Sequence, residues 1–239
     1  MKRDGTAWYR FIAWLVRTVI FRMTGGVSTI GIKNVPMDGP LLVAPLHVSN
    51  LDPPLVGSTC PRALRFMAKK ELFVFPLGVL IRSLGAFPLD REGGDTAAIR
   101  LAISELKAGR AVLIFPEGTR GNGQTMGNIQ GGISMLAKRS GAQVLPVGLA
   151  GTHIVWPKGQ KALRRAKMTV VFGEPFTYAD IEAQSDGDPR KAFADELTKR
   201  IQQATIAGGL PIKTASETSS PPLESHPGTE TGDSPLPPV

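Results

Sequence analysis

Leu41-Leu42-Val43-Ala44-Pro45-Leu46-His47-Val48-Ser49-Asn50-Leu51-Asp52-Pro53-Pro54 sets the architecture expected of this chain. Leu41 to Ala44 is a short apolar run of the kind that forms a strand buried on both faces. Asp52-Pro53-Pro54 reads as a helix start. Aspartate is a favoured N-cap, proline suits the first helical position, and the residue before a proline avoids the helical region. A buried strand, a short loop and a helix make the opening of an α/β unit.

The alternation continues outward from there. Strands are expected at Ser28 to Lys33, Leu64 to Met67, Ala111 to Phe115, Val144 to Ala150 and Met168 to Phe172, and helices at Thr96 to Ala108, Gly131 to Ser140 and Pro189 to Ala207. The pattern predicts one α/β domain over residues 27–208. A chain of 239 residues can hold one such domain with a substantial core, but not two. After Gly208-Gly209 the composition shifts to Ser, Thr, Pro, Glu and Gly, so residues 209–239 read as a disordered tail.

Residues 1–26 read differently. Spanning a bilayer takes about 20 consecutive apolar residues, and Arg10, Arg17 and Arg22 interrupt this segment. On a helix, Arg3, Arg10 and Arg17 fall on one side and Trp8, Ile12, Leu15, Val19 and Met23 on the other. Gly25-Gly26 would end it. Two tryptophans, a tyrosine and two phenylalanines are concentrated here, which favours a helix lying in a membrane interface over one packed on the protein's own core.

The formal net charge is +8. From Pro211 onward Lys213 stands against Glu217, Glu224, Glu230 and Asp233, so the remainder is more basic than the total. Such a surface suits phosphate-bearing partners: nucleic acid, anionic lipid or an acidic cofactor such as coenzyme A. The single cysteine, Cys60, excludes an internal disulfide, and no Cys/His cluster has metal-ligand spacing.

Three histidines are present. His226 sits in the tail, and His153 follows Gly151-Thr152, where a loop or packing role is expected. His47 ends the first buried strand, five residues before Asp52. On a regular helix that spacing would set the side chains about 140° apart. A loop between strand and helix could instead bring the carboxylate to one imidazole nitrogen, leaving the other to take a proton from a hydroxyl. Alone, His-x4-Asp is weak. Phe115-Pro116-Glu117-Gly118-Thr119-Arg120 follows an apolar strand and makes a tight loop at its C-terminal end, where α/β sheets bind ligands. Arg120 offers a bidentate donor to phosphate, and Gly118 allows close backbone approach. Lys69 and Arg91 add two further cations. There is no G-x-S-x-G elbow to support a serine hydrolase.

The combination is more specific than its parts. His-Val-Ser-Asn-Leu-Asp at 47–52, Gly-Ala-Phe-Pro-Leu-Asp-Arg at 85–91, Phe-Pro-Glu-Gly-Thr-Arg at 115–120 and Val-Leu-Pro-Val-Gly at 144–148 resemble, in order and interval, the four blocks of the glycerolipid acyltransferase family. Within that family they look most like the 1-acyl-glycerol-3-phosphate acyltransferases. The resemblance runs from about Thr29 to Phe176 and implies a mixed sheet flanked by helices. It implies His47 as general base, Asp52 as its orienting partner, and Arg91 with Lys69, Thr119 and Arg120 as contacts to the phosphate-bearing acceptor. Glu117 and Gly118 would shape that site, and Val144 to Gly148 would line the acyl side of the cleft. Pro88 stands where a β-branched residue is common. The implied donor is acyl-CoA or acyl-carrier protein, with no cofactor, no metal and no nucleic acid, at the cytoplasmic face of a membrane. Another acceptor (glycerol-3-phosphate, a different lysophospholipid or a glycolipid) and a non-catalytic peripheral membrane protein are the alternatives.

Overall fold

A computed structural model describes residues 6–89, 96–157, 159–160 and 162–219. Its strands are Val27–Ile30 (β1), Leu41–Pro45 (β2), Leu64–Lys69 (β3), Ala86–Leu89 (β4), Ala111–Leu113 (β5), Thr125–Met126 (β6), Gln143–Ala150 (β7), Met168–Phe172 (β8), Phe176–Thr177 (β9) and Lys213–Thr214 (β10). The helices are Ala7–Leu15 (α1), Phe21–Met23 (α2), Asp52–Thr59 (α3), Leu77–Ser83 (α4), Thr96–Lys107 (α5), Gly131–Ser140 (α6), Thr152–Val155 (α7), Tyr178–Gln184 (α8), Pro189–Ala207 (α9) and Ala215–Ser219 (α10).

The main sheet runs β1-β8-β7-β2-β5-β3-β4, with β9 added against β7. Strand β2 is parallel to both β7 and β5, and β3 is parallel to both β5 and β4. Five strands therefore finish at the same edge. Strand β8 is antiparallel to β7, which makes the sheet mixed.

All of β2 is buried, which is why it reads as an unbroken apolar run. Its alternate residues feed two cores. Leu42 and Ala44 pack in one with Leu106, Leu136, Phe193 and Leu197; Leu41 and Val43 pack in the other with Phe21, Leu55 and Val56. At the edge opposite the strand ends, buried Arg62 donates to the carbonyls of Pro36, Gly39 and Gly109, which lead into β2 and β5.

Several expectations change. Val144 to Gly148 are buried within β7, and Pro146 borders a hollow shared with Phe172 and Arg200 that does not include His47. A Cβ on Gly148 would lie 2.2 Å from the Ala204 carbonyl carbon, so glycine here admits α9 against the sheet. The 85–89 segment, read as motif alone, forms β4, and its Pro88 is tolerated because β4 is an edge strand. Strand β1 stops at Ile30, ahead of a 3-10 turn at Ile32–Asn34. The folded chain also continues past Gly209: Leu210 and Ile212 are buried, and β10 pairs with β6. The tail expectation for residues 220–239 lies outside the described residues.

The N-terminal helix runs from Thr6, whose hydroxyl accepts from the Tyr9 N–H, through a π-helical turn at Val16–Ile20 to α2. It packs on the protein along one side and leaves another side exposed. Tyr9, Ala13 and Phe21 face the protein, and the Tyr9 hydroxyl donates to the Gly57 carbonyl. Trp8, Phe11 and Trp14 stay exposed in a stacked row with centroids 6.1 and 6.2 Å apart. The outward face therefore holds Phe11 and Trp14 in place of Ile12 and Leu15, because a helix apolar on nearly every side cannot be assigned a single buried face from its pattern.

Candidate active site

Strand β2 ends at Pro45, and the Leu46 N–H donates to the Val147 carbonyl, so the chain enters the next loop from a fixed point. His47 opens that loop and Asp52 closes it as the first residue of α3. The cap position belongs to Leu51, not Asp52, and the Asp52 carboxylate turns back over the loop. One carboxylate oxygen, Oδ2, accepts from His47 Nδ1 at 2.9 Å and from the Val48 and Ser49 N–H groups at 2.7 Å each. Asp52 is fully buried, while the His47 side chain keeps 16 % exposure. Nδ1 carries the proton shared with the carboxylate, and Nε2 is the nitrogen left for a substrate.

The 115–121 loop holds His47 from the other side. The His47 N–H donates to Glu117 Oε1 at 3.1 Å, and its carbonyl accepts from the Gly121 N–H at 2.8 Å. The imidazole stacks on Phe115, with centroids 3.8 Å apart and planes 23° from parallel. Glu117 is buried, and its second oxygen accepts from the Gly127 N–H at 2.8 Å. Both oxygens of Glu117 are thus committed to backbone donors. One of those donors is the His47 N–H, so the carboxylate braces the loop that carries the imidazole.

Burial holds the Glu117 carboxyl above its ordinary range, against the opposing hydrogen bonds from Gly127 and His47. On acidification it therefore takes up a proton in the folded chain before it does in the unfolded one, turning an acceptor into a donor. Glu117→Gln places an N–H₂ against one of the two backbone N–H groups. The expected result is a kcat about 10- to 100-fold lower, the scale of a small misplacement near the chemistry, together with a lower melting temperature. An unchanged kcat would show that Glu117 does not brace the histidine.

Gly118 takes a left-handed φ of +69° and donates its N–H to the Phe115 carbonyl, closing the tight turn. Thr119 is exposed and Arg120 half-buried in the same loop. Lys69 is exposed as the last residue of β3, in register with Leu89 of β4. Arg91 lies outside the described residues, two positions past Leu89. His47 and the 117–120 loop follow strands that end at the shared edge, and Lys69 is the last residue of another.

Two further residues reach this edge from β7. Thr152 is fully buried and His153 half-buried, and their Oγ1 and Nδ1 atoms, like Asp52 Oδ1, are buried without a hydrogen-bond partner among the described residues. Burial lowers the His153 pKa and the nearby Asp52 charge raises it, burial being the larger effect. A loop or packing role is expected for His153, which lies half-buried in α7; its nearness to Asp52 is not visible in the sequence. The signal for it is topological: β7 ends beside β2, which sequence spacing does not reveal. Phe115 as a platform for the imidazole was missed for the same reason. Ser49 serves the loop, donating to the Trp156 carbonyl and accepting from the Leu51 N–H. An imidazole oriented by a buried carboxylate, with its free nitrogen at a ligand-binding edge, can act as a general base.

Residues 26–150 match the family model described as Acyltransferase. The chain is 30% identical over 197 residues to the 1-acyl-sn-glycerol-3-phosphate acyltransferase of Bacillus subtilis, covering 82% of this chain and 96% of that one. It is 37% identical over 113 residues to a lyso-ornithine lipid O-acyltransferase of Pseudomonas aeruginosa, covering 46% and 43%. The crystal structure of the 1-acyl-sn-glycerophosphate acyltransferase of Thermotoga maritima superposes with a TM-score of 0.71 at 26% identity, over 83% of this chain and 78% of that one.

Proposed function

The chain belongs to the acyltransferase family, and we propose that it transfers a fatty acyl group from a thioester to the free hydroxyl of 1-acyl-glycerol-3-phosphate, giving phosphatidate. The observation that carries this reading is the His47–Asp52 hydrogen bond at the sheet edge where β3 also ends in Lys69. His47 Nε2 takes the proton of the acceptor hydroxyl as its oxygen attacks the thioester carbonyl. The tetrahedral oxyanion collapses, the carbon–sulfur bond breaks, and the imidazolium returns the proton to the leaving thiolate. Asp52 holds the ring in the required tautomer and offsets its transient positive charge. The donor is acyl-CoA or acyl-carrier protein.

The proposed setting is the cytoplasmic face of a membrane. Among the described residues no helix is long and apolar enough to cross a bilayer. The exposed Trp8-Phe11-Trp14 row beside Arg10 and Arg17 suits attachment at the interface.

A second reading, the same transfer to another lysolipid, is favoured by the likeness to the lyso-ornithine lipid enzyme. The two part at the phosphate. Lys69→Ala with Arg91→Ala is expected to raise KM for lysophosphatidate at least 10-fold, the scale of lost hydrogen bonds to a charged group, while KM for the thioester stays put. Unmoved KM values, with turnover on a phosphate-free lysolipid, would transfer the assignment to the second reading.

A further inference from the structure

Between β3 and β4 the chain exposes Leu72, Val74, Phe75, Leu77, Val79 and Leu80, with Phe75 at 87% and Val74 and Val79 at 63%. An exposed apolar patch of this kind on a folded protein marks an interaction surface. The segment is joined to the N-terminal helix, since Trp8 Nε1 donates to Ser83 Oγ at 2.9 Å. Its place follows from the topology. Lys69 ends β3 at the edge that carries His47, and Ala86 starts β4 at the opposite edge, so the segment leaves β3 from the His47 edge.

Charge decides what the patch fits. Exposed Lys69, Lys70 and Arg82 flank it against Glu71, and exposed Arg10, Arg17 and Arg22 accompany the aromatic row, where the described residues 6–26 hold no acid. Arg82 lies over the Phe73 ring at 4.8 Å, which keeps a cation beside the apolar surface. Apolar side chains between cations are complementary to an anionic bilayer, whose hydrocarbon takes the first and whose headgroups take the second.

We propose that Leu72 to Leu80 is a second docking element for an anionic lipid bilayer, inserting Phe75 beside the entrance to the His47 edge. This rests on the reading of the chain as a lysolipid acyltransferase. Attachment at two points fixes the tilt of the protein on the surface, as the N-terminal helix alone would not. It presents the acceptor side of the site to the lipid from which a lysolipid must be drawn.

The test uses the full chain with Phe75→Cys carrying an environment-sensitive fluorophore. Cys60 is buried, so the label goes to position 75. Vesicles of phosphatidylcholine alone are compared with vesicles containing phosphatidylglycerol. The expected result is a blue-shifted, brighter emission on anionic vesicles only, quenched by lipids spin-labelled along the acyl chain. Phe75→Ser with Val79→Ser is expected to weaken vesicle binding at least 10-fold, since each change withdraws a large apolar side chain from the bilayer. Turnover of a short-chain, micelle-free lysophosphatidate should be unchanged in that variant, which also reports that it folds. A chain that binds anionic vesicles while position 75 stays in water overturns the second docking element and leaves the acyltransferase reading intact. A dimer in solution that Phe75→Ser abolishes would overturn it too, assigning the patch to a second copy of the chain. Absence of turnover on the soluble acceptor in wild type would count against the acyltransferase reading, whatever the fluorophore reports.

Discussion

His47→Ala lowers kcat for phosphatidate formation by about 10²- to 10⁴-fold, the contribution of a positioned general base. The size follows from the way the ring is held. Nδ1 is tied to a fully buried carboxylate, one face lies on Phe115, and the remaining exposure leaves Nε2 as the point of proton transfer. The backbone contacts of residue 47 to Glu117 and Gly121 do not involve the ring and survive the change. Loss of activity with a melting temperature close to wild type is therefore expected. Thiol release from the thioester in the presence of lysophosphatidate is the readout, with thermal denaturation alongside. Unaltered release would take the imidazole out of the reaction.

Asp52→Asn gives the second large effect, and comparison with Asp52→Ala separates its causes. In the amide, one oxygen can still accept from the Val48 and Ser49 N–H groups, so the loop keeps its shape. The same oxygen still accepts from His47 Nδ1, so what is lost is the charge that favours the imidazolium. In the Ser-His-Asp triad of serine proteases, the same aspartate-to-asparagine change costs about 10⁴ in kcat. A loss of about 10²- to 10⁴-fold, with little change in stability, is the expectation here. Asp52→Ala removes the acceptor altogether and leaves two buried N–H groups unpaired, at about 1–3 kcal/mol each. That variant should lose stability as well as activity. If the asparagine variant lost as much stability as the alanine one, Asp52 would be holding the loop more than orienting the histidine.

Much of this was legible in the sequence because short-range rules governed it. The runs at Met168–Phe172, Gly131–Ser140 and Pro189–Ala207 have the length and pattern of their elements, and the structure places them at those bounds. The His47–Asp52 pairing was foreseeable from the proline-marked helix start, although Asp52 turned out to bond backward to the loop instead of capping its own helix. What could not be read depended on which strands become neighbours. The sequence around Glu117 shows only its neighbours Gly118 and Arg120. The His47 N–H that its carboxylate accepts from is reached only once β2 and β5 pair. Val144 to Gly148 read as cleft lining, and what the sequence does not show is that β7 lies between β2 and β8 with α9 against Gly148. The apolar segment at Leu72 to Leu80 carries no pattern that separates an exposed run from a core one; only the folded chain shows it uncovered.

Acceptor choice and the need for His47 can be read together in one competition assay. Purified wild-type protein is supplied with lysophosphatidate, lyso-phosphatidylcholine and a lyso-ornithine lipid in equal amounts, with acyl-CoA and acyl-carrier protein as donors in separate reactions. Products are identified by lipid mass spectrometry. Phosphatidate is expected as the main product with at least one donor, formed in step with thiol release and absent with His47→Ala. Thiol release without any acylated lipid, or phosphatidate formed equally by the His47→Ala protein, would contradict acyl transfer by the His47–Asp52 pair.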